Sequence, residues 1–170
     1  YVENLMAYTK NAKRPLIFFT DYAEIRDGNI VESNKLLRIK RIMLFILRPK
    51  SMWGSRFARR RVLSMGSPIC CPSITYYKPN LMEPVFLNGF RSNEDWEAEE
   101  RISQLDGEFI FCNKILTYHR IHEDSETSKI IHDSKRSEED YAMYRKFWPS
   151  GIARILTKLY SSSEKSNNIK

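Results

Sequence analysis

Helical and extended periodicities alternate along this chain, and that alternation predicts an α/β fold, a mixed sheet flanked by helices. Two further observations narrow it. The 170 residues are 42% hydrophobic, enough for one core but hardly for two, and no window holds the 18 or more uninterrupted apolar residues of a membrane-spanning helix. These features imply one soluble domain over residues 1–160. The polar, serine-rich residues 161–170 show no apolar periodicity and are expected to form a disordered tail.

Val2 to Tyr8 reads as the end of a helix, and Leu16-Ile17-Phe18-Phe19-Thr20, after Pro15, suits a buried strand. Asp27-Gly28-Asn29 is a turn signal leading into a short strand at Ile30-Val31. Asn34 is placed to cap a helix whose Leu36, Ile39, Met43 and Ile46 fall at helical spacing, with the lysines and arginines on other faces and Pro49 at its end. A second helix is expected from about Ser55 to Met65, stopped by Gly66 and Pro68. Ile69 to Tyr77 is apolar and β-rich but interrupted by Pro72, so an irregular strand is expected, then a loop through Pro79 and Pro84. Asn93 opens a helix with Ala98, Ile102 and Leu105 on its apolar face, closed by Asp106-Gly107, and Phe109 to Leu116 is the next strand. Ser137 with Asp140 has capping-box spacing for a helix through Phe147, and Ser150 is placed to cap a last helix through Tyr160.

The net charge of +7 is unevenly divided. Between Glu32 and Glu83 there are eleven lysines and arginines and no acid, whereas from Glu83 to Asp140 fifteen acids face seven bases. Anionic partners are therefore expected to meet the first half. Cys70, Cys71 and Cys112 form neither an even disulfide framework nor metal-type spacing, and vicinal Cys70-Cys71 is read as two buried thiols in a reducing compartment.

The stretch that bears on chemistry is Asn93-Glu94-Asp95-Trp96, followed downstream by Tyr118-His119-Arg120-Ile121-His122. A carboxylate at a helix mouth with an imidazole behind it suits acid–base chemistry. Architecture explains the same spacing, since Ser92-x-x-Asp95 is a capping-box pattern and a carboxylate in a first turn is favoured by the helix dipole by about 0.3–1 kcal/mol. Likewise a lone histidine near a strand end is commonly structural.

Together, the Glu-Asp-Trp element before a helix and the Arg120-Ile121-His122-Glu123-Asp124-Ser125 segment resemble the C-terminal portion of a family 2 glycosyltransferase of the GT-A fold. The resemblance covers essentially the whole chain. It implies that Asp95 is the general base that takes the proton of an acceptor hydroxyl, with Glu94 supporting it and Asn93 and Trp96 at the acceptor side. Trp96 reads more readily as a packing residue than as a sugar platform. The resemblance implies further that His122 reaches a divalent metal, manganese or magnesium, with His119 as its rival. Arg120, and more weakly Gly66 and Ser67, would border the donor diphosphate. The family's Asp-x-Asp metal motif is absent here, Asp21 and Asp27 being too far apart to serve, so the chain would begin just after it.

Implied partners are a nucleotide-sugar donor and a saccharide or polyprenyl-diphosphate-linked acceptor, in the building of capsule or other surface polysaccharide. Such enzymes work in the cytoplasm at the inner face of the plasma membrane, and the basic helix around Lys35 to Arg48 suits peripheral contact with anionic lipid. The alternative from a different class is a non-enzymatic basic module that binds nucleic acid or anionic membrane. Arg59-Arg60-Arg61 could meet nucleic-acid phosphate, but no recognised nucleic-acid-binding signature accompanies it, so no nucleic acid is expected.

Overall fold

A computed structural model describes residues 1–121 and 134–165. Helix α1 spans Val2–Thr9, strand β1 Pro15–Arg26, β2 Asn29–Val31, α2 Lys35–Met43, α3 Arg56–Leu63, β3 Ile74–Tyr76, α4 Glu94–Ser103, β4 Glu108–Ile121, α5 Ser134–Arg145 and α6 Ser150–Lys165. The class is mixed α/β, as the alternation predicts. Its sheet is built on β1, which pairs in parallel with β4 along one edge. The other edge is shared by β3, antiparallel to Ile17–Phe19, and by β2, antiparallel to Glu24–Arg26.

The β1–β2 hairpin follows from two residues. Asp27 and Gly28 both have positive φ, 49° and 78°, the combination a two-residue type I′ turn requires and Asp-Gly supplies at least steric cost. Strand alternation then divides the core in two. Phe19 and Phe111 stack at 5.0 Å on the face covered by α3, α4 and α5. Phe18, Ile110 and Cys112 turn to the other face, where Trp53 and the Leu5 and Tyr8 side chains of α1 cover them. All three cysteines are free thiols; Cys70 is buried but Cys71 is exposed, which overturns the expected buried pair.

Several local expectations change. In α2 the buried residue is Leu37, and Ile39 is exposed. The helix tightens at its end into a 3₁₀ turn over Leu44–Leu47, which shifts the inward stripe onto Leu44 and Leu47. The apolar segment Ile69–Tyr77 yields only the three residues of β3, because Cys71–Ser73 winds into a 3₁₀ turn around Pro72. Ser137 lies inside α5, so it caps nothing. The last helix continues through Lys165, five residues into the expected tail, and residues 166–170 lie outside the described ones.

Candidate functional site

Helix α4 carries five acids in its first seven residues, Glu94-Asp95-Trp96-Glu97-Ala98-Glu99-Glu100, and the fold sorts them onto different faces. Glu97 and Glu100 are ion-paired. Lys146 Nζ lies 3.0 Å from Glu97 Oε1 and 3.2 Å from Glu100 Oε2, Arg101 Nε lies 2.9 Å from Glu97 Oε2, and Arg60 Nη1 lies 2.8 Å from Glu100 Oε1. Burial works against the Glu97 charge, but Arg101 and Lys146 outweigh it and hold its carboxyl below the ordinary value.

Asp95 and Glu99, four residues apart and so on one face, have no such cation in contact among the described residues. Asp95 is half-buried, and its Oδ1 accepts the Trp96 N–H at 2.8 Å. Burial raises its pKa, opposed by the Trp96 N–H and by the field of the Lys40 ammonium and reinforced by Glu94. Glu99 is fully buried, and neither of its carboxylate oxygens has a hydrogen-bond partner. Burial first, then the Asp95 charge, pushes its pKa well above the ordinary glutamate value against the pull of Lys40. A buried, unpaired carboxylate is costly, so the protonated form is favoured. Tyr76 Oη, electrostatically coupled to Glu99 and Asp95, is likewise buried without a partner.

Lys40 closes this cluster from α2. Its Nζ stands 5.5 Å from the centroid of the Tyr22 ring; burial works against its charge, but Tyr22 first and Tyr160 after it outweigh that and hold its pKa above the ordinary lysine value. Arg41, next along, is fixed to the sheet, with Nε 2.7 Å from Asp21 Oδ2 and Nη2 donating to Tyr22 O at 3.1 Å. Asn34 caps α2 as expected, Oδ1 accepting the Leu37 N–H at 2.8 Å, and its amide also donates to Glu24 Oε2 at 2.8 Å. The His119 ring meets Tyr22 edge-on at 6.3 Å, which draws it to the Lys40 side of the sheet.

The start of α4 is clasped from α5. Glu139 accepts the N–H groups of Arg91, Ser92 and Asn93 at 2.9, 2.9 and 3.2 Å and the Ser92 hydroxyl at 2.7 Å. Burial opposes the Glu139 charge, but these donors outweigh it and hold the carboxyl below its usual range. The expected Ser92-x-x-Asp95 capping box is therefore not formed, because Ser92 is taken by Glu139 and Asp95 bonds its own neighbour. Asn93 is not an acceptor residue either. It is buried, and its side-chain amide donates to Asp140 Oδ1 at 2.8 Å. Trp96 is likewise corrected from the acceptor side to the core: it is fully buried, its Nε1 donates to Leu63 O at 3.0 Å, and Tyr144 packs edge-on at 5.2 Å.

Among the remaining candidates, Glu94 is exposed beside Asp95, Ser67 is half-buried, and Arg120 is exposed near the end of β4, one residue from His119 and so on the opposite strand face. Gly66 is demanded by packing. Its φ is +140°, and a Cβ there would meet Tyr160 Cε2 at 3.0 Å. His122 lies outside the described residues. Among those described, no group of three or more His, Cys, Asp or Glu is placed to hold a metal ion. The acids of β1 are engaged, Asp21 with Arg41 and Glu24 with Arg26 and Asn34, so the described donor set does not fit a divalent centre.

The arginine triplet is also accounted for internally. Fully buried Arg59 closes the C-terminal end of α4, its Nε donating to Ser103 O at 2.6 Å and its Nη atoms to Gly107 O at 2.5 Å and to Leu105 O. Arg60 pairs with Glu100 and lies over Phe147 at 5.0 Å, and Arg61 over Trp148 at 5.2 Å. No family model matches this chain, and no curated protein or solved structure matches it.

Proposed function

We propose that this chain is the acceptor-side, C-terminal portion of an inverting glycosyltransferase of the GT-A fold. It would move a sugar from a nucleotide-activated donor to a saccharide or polyprenyl-diphosphate-linked acceptor, at the cytoplasmic face of the plasma membrane, in the building of surface polysaccharide. The observation that carries the reading is Asp95, a half-buried carboxylate in the first turn of α4 with raised pKa and no cation in contact, on a helix whose Glu97 and Glu100 are neutralised.

An acceptor hydroxyl is a poor nucleophile until its proton begins to leave. Asp95 takes that proton while the hydroxyl oxygen bonds to the anomeric carbon. The bond from that carbon to the diphosphate breaks on the opposite face, the nucleoside diphosphate departs with the electron pair, and the configuration inverts. Lys40 favours the ionised, basic form of Asp95 without quenching it by contact. Arg120 is the proposed diphosphate contact, and His119, whose ring meets Tyr22 under Lys40, is the described imidazole that could serve beside it.

The nucleic-acid form of the basic-module alternative is weakened, because Arg59, Arg60 and Arg61 each have partners within the fold. The test is Asp95→Asn in the complete polypeptide that carries this chain, assayed by release of nucleoside diphosphate from a nucleotide sugar with a saccharide acceptor. Transfer should fall by roughly 100- to 10,000-fold without a lowered thermal midpoint, since the amide oxygen can still accept the Trp96 N–H and a buried charge is removed. Retained turnover would remove Asp95 from the base position.

A further inference from the structure

Two helices carry apolar side chains on faces that no described element covers. In α6, Ala153, Leu156 and Tyr160 belong to the core cluster, while Ile152, Ile155 and Leu159, each one position earlier, are 44, 61 and 63% exposed. Their i, i+3, i+7 spacing makes one continuous ridge. On α2 and its 3₁₀ continuation, Ile39, Ile42 and Phe45 are 40, 73 and 64% exposed. Single exposed apolar residues are ordinary, but two ridges of three on adjoining helices form a patch of the kind that marks a contact surface.

The helices adjoin at Gly66, where Met43 of α2 and Tyr160 of α6 both reach the same backbone, 3.6 and 3.0 Å from where a Cβ would stand. Charge indicates what covers the ridges. Exposed Lys35 and Arg38 accompany the first and exposed Arg154 and Lys158 the second; Lys35–Leu47 contains no acid, and the one acid in the sequence of α6, Glu164, stands in its last turn, beyond the ridge. A second copy of the chain would set like charge against like charge. An anionic bilayer would meet the ridges with its acyl boundary and the cations with its phosphates.

We propose that α2 and α6 together form a peripheral membrane-binding surface for anionic phospholipid, the ridges entering the acyl boundary and the cations resting on headgroup phosphates. The 16 residues of α6 make a helix about 24 Å long, and no described helix is long and apolar enough to cross a membrane. The surface therefore lies along the bilayer plane. It deepens the glycosyltransferase reading, on which only the identity of the acceptor rests. Tyr160, on the inward side of α6, packs 6.1 Å from Trp96, so α6 and α4 share one core. A membrane-bound chain of this kind would take an acceptor anchored in the same bilayer.

The test is co-flotation of the full chain with vesicles of phosphatidylcholine alone and of equimolar phosphatidylcholine and phosphatidylglycerol. Binding should favour the anionic vesicles and weaken with salt. Ile155→Ser and Leu159→Ser should each weaken it on the order of tenfold, and Lys35→Gln and Arg38→Gln about fivefold each. All four positions are exposed, so thermal midpoints should match the unaltered chain. Absence of flotation on both vesicles, or flotation indifferent to Ile155→Ser and Leu159→Ser, would overturn the proposal. So would a dimer seen by light scattering that those substitutions dissolve, with no lipid bound. Vesicle binding needs neither donor nor acceptor, so its failure and that of the transfer assay are separate results.

Discussion

Replacing Glu99 with Gln tests the electrostatic core of the site without touching its shape. Glu99 is fully buried, both its oxygens are unpartnered, and burial with the Asp95 charge raises its pKa well above the ordinary value. An unfolded glutamate titrates near 4.3. Below that pH both states hold the proton and the group is neutral to stability. As pH rises past it the unfolded chain ionises while folded Glu99 keeps its proton, so the native state becomes progressively less stable until its own raised pKa is reached. The slope across that window approaches 1.4 kcal/mol per pH unit. Glutamine cannot ionise, so Glu99→Gln should match the unaltered protein near pH 4 and gain on it by up to that slope at higher pH. For a chain of this size each such step moves the thermal midpoint by about 3–6 °C. Urea unfolding at a series of pH values reads the gap directly. Two parallel stability curves would mean that Glu99 is ionised or already partnered, and would sink the argument. A variant carrying Asp95→Asn as well should show a shallower gap, because the charge that raises Glu99 is gone.

Arg59→Met should cost roughly 3–5 kcal/mol in urea unfolding, because the carbonyls of Ser103, Leu105 and Gly107 lose their donor inside the fold. Arg59→Lys should recover only part of that, one ammonium being unable to span the three carbonyls of the guanidinium fork. Gly107→Ala should be among the costliest single changes, about 3 kcal/mol or more by the same assay. Its φ is +138°, and the new Cβ would stand 2.6 Å from both Arg14 O and Leu16 Cγ. Gly54→Ala, with nothing within 4 Å, should be close to neutral.

The sequence was most legible where one local residue settles the backbone. Asp27-Gly28 fixed the hairpin, Asn34 and Ser55 the starts of α2 and α3, and the free cysteines followed from their number. It was least legible where a distant partner decides. Ser92 and Asp95 have the spacing of a capping box, but Glu139 on α5 offers Ser92 a charged acceptor and takes the neighbouring N–H groups as well. Nothing near Asn93 or Trp96 announces that their polar atoms belong to Asp140 and Leu63. Glu99 could have been singled out, since it stands four residues after Asp95 and shares its helix face. Which acids of α4 are neutralised, however, depends on Arg60 and Lys146, remote in sequence and brought in by α3 and by the segment after α5.

The place of Asp95 follows from how α4 is tied to the sheet. Arg59 and Gly107 pin the C-terminal end of α4 to the turn that starts β4, and Glu108 pairs with Pro15 at the beginning of β1. Ten residues of helix run about 15 Å back from that point, and the direction is toward the carboxyl ends of the parallel β1–β4 pair. Tyr22, Ala23 and Glu24 on β1, beside Thr117, Tyr118 and His119 on β4, lie in that half of the sheet. In open α/β sheets the crevice beyond the carboxyl ends of parallel strands is where ligands bind. The register breaks of the β1–β4 ladder at Thr20, Asp21 and Tyr22 fall there too, and with them come Arg41 on Asp21 and Lys40 over the Tyr22 ring. The closure of α4 by Arg59 at its far end thus fixes its near end, where the Lys40 charge acts on Asp95.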